Sequence, residues 1–231
     1  MMTDAKNNPH IPPNTLPTDY APEAPAPSRL ESFSDGVIAV IITIMVLEFK
    51  LPQEPGAKAF IKGVVPTLAV YLLSFTYTGI YWINHHHLVH RLKRVDAPIL
   101  YANLLLLFCL SLLPFATSYV LSEKFNSFSI AVYASELFLS GVGFVVLSAA
   151  ITRHFYRTDT ANPVTLAAQK AEARKSFLSL ALYALAMPLA YWHPSFAAAA
   201  LALGTLLWIV PGFMLPASRH SEGAGSLEKN H

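Results

Sequence analysis

The sequence predicts an all-α membrane protein whose chain crosses the bilayer six times. Hydrophobic residues make up 54% of the 231 residues and charged residues only 13%, whereas an ordinary soluble domain carries about 25% charged residues. Several apolar stretches reach the length of about 20 residues that a helix needs to cross the hydrocarbon core. The alternation of apolar and polar residues that is typical of membrane β-strands is absent from the sequence.

Both chain ends differ in composition from the apolar middle. Seven prolines fall within residues 9–27 among Asn, Thr, Ala and Asp, and a segment of this kind cannot bury enough apolar area to fold. It also lacks the basic start and apolar centre of a cleavable signal peptide. We therefore expect a disordered cytoplasmic tail over residues 1–28, a six-helix membrane domain over residues 29–217 and a flexible cytoplasmic tail over residues 218–231.

Six apolar segments are the candidate spans. Because backbone groups in lipid must satisfy their own hydrogen bonds, each segment is expected to form an α-helix. Prolines are expected to bend the third, fifth and sixth helices, at Pro114, Pro188 and Pro211. The segments cover about residues 30–49, 60–83, 99–121, 128–151, 176–192 and 196–215.

The basic residues predict the orientation. With six spans, the side that holds the N-terminal tail carries 12 of the 16 Lys and Arg residues, and the other side carries four. The positive-inside rule assigns the richer side to the cytoplasm. Both termini are therefore expected in the cytoplasm and the protein in the plasma membrane, while the net charge of +2 gives no reason to expect nucleic acid as a partner.

The first span is unusual because it begins with charged and polar residues. Its uninterrupted apolar stretch covers only residues 36–47, and Arg29, Glu31, Ser34 and Asp35 precede it. Charges at membrane depth are costly, so these groups are expected to face other helices or a water-filled path. The alternative is a helix that merely starts at the polar interface.

Helical spacing divides this span into two faces. At about 100° per residue, Val40, Ile44 and Leu47 form a narrow aliphatic stripe with Thr43 beside it. Asp35 lies about 140° from Val40, on a face whose acids need partners from neighbouring helices. From spacing alone, an aliphatic stripe more often serves helix packing than a pore.

The start of the first span resembles a family signature. Arg29, Phe33, Ser34 and Asp35 match in full the pattern Arg-x-x-x-Phe-Ser-Asp, which is typical of the transmembrane protein 175 family of potassium-permeable channels. The aromatic-Asn-His run over residues 82–86 and the LLLLF…LLPF pattern of the third span are also similar to that family. The resemblance covers residues 29–120 and extends to the last three spans only in pattern.

The resemblance implies a potassium-permeable cation channel with no enzymatic activity and no cofactor besides the permeant potassium ion. In the family the first helix lines the pore, and aliphatic rings constrict it. Carried over by position, the rings are Val40, Ile44 and Leu47, with Thr43 as a neighbouring polar layer. A narrow apolar ring resists wetting, so the rings are expected to act as gate and selectivity element.

Two further implications follow from the resemblance. The signature residues Arg29, Phe33, Ser34 and Asp35 are implied to tie the first helix to its neighbours, in packing and gating rather than as ion ligands. Only one copy of the signature occurs, which implies a homotetramer in the lipid bilayer with four first helices around the pore axis. A closed cyclic assembly of this kind is geometrically ordinary.

Four histidines cluster where the second span ends. His86 and His90 are four residues apart, a spacing that could hold zinc on one helix face, but no carboxylate or cysteine nearby in the sequence completes the set. We therefore expect no metal. A hydrogen bond from His85 or His86 to the first-helix signature is the favoured role, and solvation by the basic loop is the alternative.

Two other functions are considered. A secondary transporter of a small ion or solute is the main alternative, although such folds often contain broken helices near the midplane and the first span has no proline. An intramembrane hydrolase built on Ser34 and Asp35 is disfavoured because adjacent helical residues point about 100° apart. Glu136, an acid within the fourth span, is a functional candidate by its position, and a structural hydrogen bond is its favoured role.

Overall fold

The computed structural model describes residues 27–47, 55–158 and 163–209, with side chains over residues 173–208 in the last range. The predicted tails lie outside these residues, except that the first helix already begins at Pro27. Pro211 also lies outside them. The helices are α1 (Pro27–Leu47), α2 (Ala57–Val89), α3 (Ala97–Ser111), α4 (Leu113–Ser122), α5 (Ser127–Arg157), α6 (Pro163–Trp192) and α7 (Pro194–Ile209).

Within the described residues, four helical segments are long and apolar enough to cross a membrane. They are α1, α2, α3 together with α4 (Ala97–Ser122), and α5. The apolar part of α7, Pro194–Trp208, is shorter, and α6 is not among the four. The chain is thus an all-α, multi-pass membrane protein, and the expectation of six spans stays a prediction.

Several helices, α2 and α5 among them, extend beyond the apolar segments that the sequence indicates. The 33 residues of α2 correspond to about 50 Å at 1.5 Å per residue, which exceeds the hydrocarbon thickness of about 30 Å. His85, His86 and His87 lie in the last turns of α2, and His90 follows directly after the helix ends. Hydropathy identifies only the part of a helix that crosses the lipid, because a helix continues into water where its polar residues allow it.

The third predicted span consists of two helices. α3 ends at Ser111 and α4 begins at Leu113, and the amide of Leu112 donates to the carbonyl of Cys109 at 3.0 Å. Pro114 lies in the first turn of α4, where its missing N–H has no intrahelical acceptor to lose. The expected bend at Pro114 is therefore replaced by a break between two helices, and this break lies before the proline.

The helices pack around α5 and α1. α5 contacts α3, α4 and α6, α6 packs against α7, and α1 packs against α2, α3 and α4. α3 and α5 approach closely at Gly143, where a Cβ atom would lie 3.0 Å from the Cα atom of Leu106. A small residue at such a crossing lets two membrane helices come into backbone contact.

Several polar side chains inside the bundle form hydrogen bonds with protein groups. Ser140 donates to a carboxylate oxygen of the buried Glu136 at 2.8 Å. Tyr77 donates to the carbonyl of Leu137 at 2.7 Å, and the hydroxyls of Ser74 and Tyr133 lie 2.8 Å apart. The contacts of Tyr77 and Ser74 join α2 to α5 at two levels.

Asp96 fixes the start of α3 and links it to α5. Its carboxylate caps the helix by accepting from the amide of Ile99 at 3.2 Å, and its other oxygen lies 3.1 Å from Nδ1 of His154. Partial burial acts to raise the pKa of Asp96, but the bonds from His154 and Ile99 outweigh it and hold the pKa below its ordinary value. Its carboxylate is therefore ionised at neutral pH.

We expect Asp96→Ala to lower the thermal unfolding midpoint in detergent at neutral pH, by the equivalent of about 1 kcal/mol for a lost helix cap. Asp96→Asn retains a capping oxygen and serves as the control, so its loss should be smaller. A group with a depressed pKa stabilises the fold above its unfolded-state pKa, and this contribution disappears as the pH falls through the folded-state pKa. Equal midpoints for Asp96→Ala and wild type at pH 7 would show that the cap contributes nothing.

Candidate functional site

Two acidic residues of α1 pair with two aromatic residues of α2. Asp35 accepts a hydrogen bond from the indole N–H of Trp82 at 2.8 Å, and Oε1 of Glu31 lies 2.6 Å from Nδ1 of His86. The two acids are four residues apart in the sequence, and so are their two partners. The acid that comes first, Glu31, pairs with the partner that comes last, His86. This is the pattern that two antiparallel helices with facing i, i+4 rows produce. The rings of Trp82 and His86 also stack, with centroids 6.3 Å apart.

A buried polar chain connects α1, α3 and α2. Ser34 donates to the carbonyl of Leu30 at 2.8 Å, which leaves its oxygen free to accept from the side-chain amide of Asn103 at 3.0 Å. The amide oxygen of Asn103 lies 2.8 Å from Nε2 of His85. Ser34, Asn103 and His85 are fully buried. Buried polar groups are costly unless they are hydrogen-bonded. These hydrogen bonds therefore fix the position of α1 relative to α3 and α2.

α1 has a third face that spacing alone did not distinguish. Ile38, Ile41 and Met45 are buried together with Leu30 and Ser34, and their spacing of three or four residues makes them one helical stripe. This stripe packs against the neighbouring helices, beside the acidic face. The expected division of α1 into an aliphatic face and an acidic face is therefore incomplete. The residues that pack against the neighbouring helices form a third face, which is distinct from these two.

The aliphatic stripe predicted to form the rings lies on the outside of the single chain. Val40, Ile44 and Leu47 are 54%, 42% and 77% exposed. Thr43 is exposed beside them, and its hydroxyl donates to the carbonyl of Val40 at 2.9 Å. Spacing alone favours a role for this stripe in helix packing. The structure instead places the stripe outside the packed core of the chain.

The signature residues divide between the two sides of α1. Ser34 and Asp35 contact α3 and α2, whereas Phe33 and Arg29 are exposed. Because α1 is helical from Pro27, Arg29 projects close to the stripe, as regular helical spacing predicts. The structure therefore brings Ser34, Asp35, His85 and His86 together and leaves Arg29 and Phe33 outside this group.

An open groove of about 910 Å³ lies beside the stripe, between α1 and the α3–α4 segment. Phe33, Val40 and Ile44 line it on one side, and Pro114 and Phe115 line it on the other. Its walls are mostly apolar side chains. Within the described residues this side of α1 has no covering helix.

Sequence reasoning missed Asn103, which bridges Ser34 and His85. A signal was present, since Asn103 is the lone amide within the apolar run of residues 102–110. A polar side chain at membrane depth is rare and usually faces a partner inside the bundle. Its partners lie 69 and 18 residues away in the sequence.

Comparison with known proteins places this arrangement in a family. Residues 29–114 match the family model described as endosomal/lysosomal potassium channel TMEM175. A protein of Chryseobacterium sp. named as a potassium channel is 39% identical over 183 residues, which cover 79% of this chain and 92% of the relative. This chain belongs to the TMEM175 family. A Streptomyces collinus protein, also named as a potassium channel, is 33% identical over 132 residues, which cover 54% of this chain and 64% of that protein.

A solved TMEM175 structure shares the fold. It is the crystal structure of a lysosomal potassium-selective channel TMEM175 homolog from Chamaesiphon minutus, and it superposes with a TM-score of 0.64. The match covers 79% of this chain and 96% of that chain at 22% sequence identity. The helical architecture is therefore that of the solved TMEM175 homolog.

Proposed function

We propose that this TMEM175 protein is a potassium-permeable cation channel whose pore is lined by the aliphatic stripe of α1. The observation that carries the proposal is the exposure of Val40, Ile44 and Leu47 on a helix whose opposite side is held by buried hydrogen bonds. A row of aliphatic side chains on a fixed membrane helix must face lipid, another subunit or a pore. The relatives named as potassium channels support the last of these.

A single stripe cannot enclose a path for an ion, so the pore requires several subunits. The chain contains one α1 helix with one signature, and we infer a homotetramer with four α1 helices around a common axis. Cyclic symmetry then turns each stripe residue into a ring. The groove beside α1 supports this arrangement, because it leaves room for an apolar surface of a neighbouring subunit.

Three successive rings would act as both gate and selectivity element. Val40, Ile44 and Leu47 lie about one helical turn apart along the axis, and narrow aliphatic rings exclude water and hydrated ions until the helices move apart. Thr43 adds a hydroxyl layer next to them. The bonds of Ser34 and Asp35 to α3 and α2 would couple movements of α1 to the rest of the subunit.

In the proposed topology the protein crosses the plasma membrane six times, and both termini lie in the cytoplasm. α6 and α7 would supply the fifth and sixth spans, since they follow one another with only His193 between them and pack together against α5. The bias of 12 to 4 in basic residues supports this orientation.

An enzymatic role has no support at this site. The hydroxyl of Ser34 donates to the carbonyl of Leu30 and accepts from Asn103, so it is not activated by a base as a nucleophile must be. The family itself is described as an ion channel.

Potassium flux into liposomes that contain the purified protein tests the proposal. We expect flux that follows the potassium gradient, increases in proportion to it and needs no second ion. Saturable uptake coupled to another solute would instead indicate the secondary transporter. Absence of flux under every ionic gradient would contradict both the channel and the pore-lining role of α1.

A further inference from the structure

Three metal-binding side chains converge where α1 begins and α2 ends. They are Glu31 of α1, His86 in the last turn of α2 and His90 directly after it, and their ligand atoms lie within 4.8 Å of one another. The rings of His86 and His90 stack with centroids 5.5 Å apart. We propose that Glu31, His86 and His90 form a binding site for a transition-metal ion of the Zn²⁺ type.

The residue types and their placement suit zinc. Two histidines at i and i+4 present their rings on one helix face, and a carboxylate from another element completes a two-histidine, one-carboxylate set. Zinc with three protein ligands takes a water molecule as its fourth ligand. Zn–N and Zn–O bonds of about 2.0–2.2 Å place tetrahedral ligand atoms about 3.3–3.6 Å apart. Glu31 and His86, at 2.6 Å, would therefore move slightly apart, and any pair near the 4.8 Å limit would move closer.

The surroundings allow an ion to enter and the ligands to adjust. His90 is exposed, whereas Glu31 and His86 are half-buried. His90 can therefore change its side-chain rotamer without disturbing the bundle. Oε1 of Glu31 and Nδ1 of His86 already lie 2.6 Å apart, so two of the three ligands are close to one another before an ion binds.

The sequence could not reveal this site. The expectation of no metal rested on the lack of a nearby carboxylate, and Glu31 is separated from His86 by 55 positions along the chain. Only the antiparallel packing of α1 on α2 brings them together. A bound ion would join the two helices beside the contact of Asp35 with Trp82.

Metal content of the purified full-length protein tests the proposal. The protein carries an affinity tag without histidines, is stripped with chelator, equilibrated with Zn²⁺ and desalted, and its zinc is measured by elemental analysis. Co²⁺ absorption in the visible range reports the coordination geometry. His90→Ala and Glu31→Gln remove ligands, while His87→Ala removes an exposed neighbouring histidine outside the set.

We expect one zinc ion per chain and a tetrahedral Co²⁺ spectrum for wild type and for His87→Ala. His90→Ala and Glu31→Gln should each weaken Zn²⁺ binding about tenfold or more. Even the loss of a residue that hydrogen-bonds to a metal ligand lowers metal affinity about 10–100-fold. Wild type without zinc, ligand variants with unchanged affinity, or an equal loss in His87→Ala would each overturn the proposal. If Glu31→Gln fails to fold, the exposed His90→Ala decides. Neither measurement depends on ion conduction.

Discussion

Replacing Ile44 with asparagine is expected to increase potassium flux in liposomes about tenfold, which corresponds to a barrier lowered by about 1.4 kcal/mol. An asparagine in each of four subunits would replace an aliphatic ring with hydrogen-bonding groups, which favour water in the constriction. Val40→Ala and Leu47→Ala should act in the same direction by widening their rings. The measurement is initial flux at a fixed gradient and equal protein density.

Val46→Asn provides the matched control for the stripe. Val46 is also exposed on α1, but it lies about 160° around the helix from Ile44. The same substitution there changes polarity without reaching the pore, so flux should remain close to wild type. Equal flux in both variants, whether raised or unchanged, would show that the stripe does not line the path.

Removing the amide of Asn103 is expected to destabilise the subunit more than any surface substitution on the same helix. Asn103→Ala leaves Ser34 and His85 buried without the partner that they share, and each unpaired polar group costs about 1–3 kcal/mol. For a chain of this size, 1 kcal/mol corresponds to about 2–4 °C. The unfolding midpoint in detergent should therefore fall by several degrees.

Ser111→Ala is the control for Asn103→Ala. Ser111 ends the same helix, is exposed, and donates only to the carbonyl of Phe108 within α3. Its replacement breaks no contact between helices, so the midpoint should not change. If both variants unfold at the wild-type temperature, the buried polar chain does not hold α1 in place.

The local properties of the sequence predict much of the fold, and the signature at residues 29–35 makes α1 the candidate pore helix by resemblance. Apolar length predicts membrane helices because the hydrocarbon thickness imposes it, and the segments around α1, α2 and α5 were located in this way. The stripe of Val40, Ile44 and Leu47 follows from helical periodicity within eight residues. The polar start of α1 indicates that partners are required, because charges in lipid are costly.

Only the tertiary structure decided which partners these groups have. Asp35 and Trp82 are 47 positions apart and Ser34 and Asn103 are 69 apart, and no local pattern connects them. Their pairing depends on the antiparallel packing and relative rotation of whole helices. The same packing buries Ile38 and leaves Val40 exposed, although both are aliphatic residues in one apolar run. Periodicity defines the faces of a helix, and the neighbouring helices determine what each face contacts.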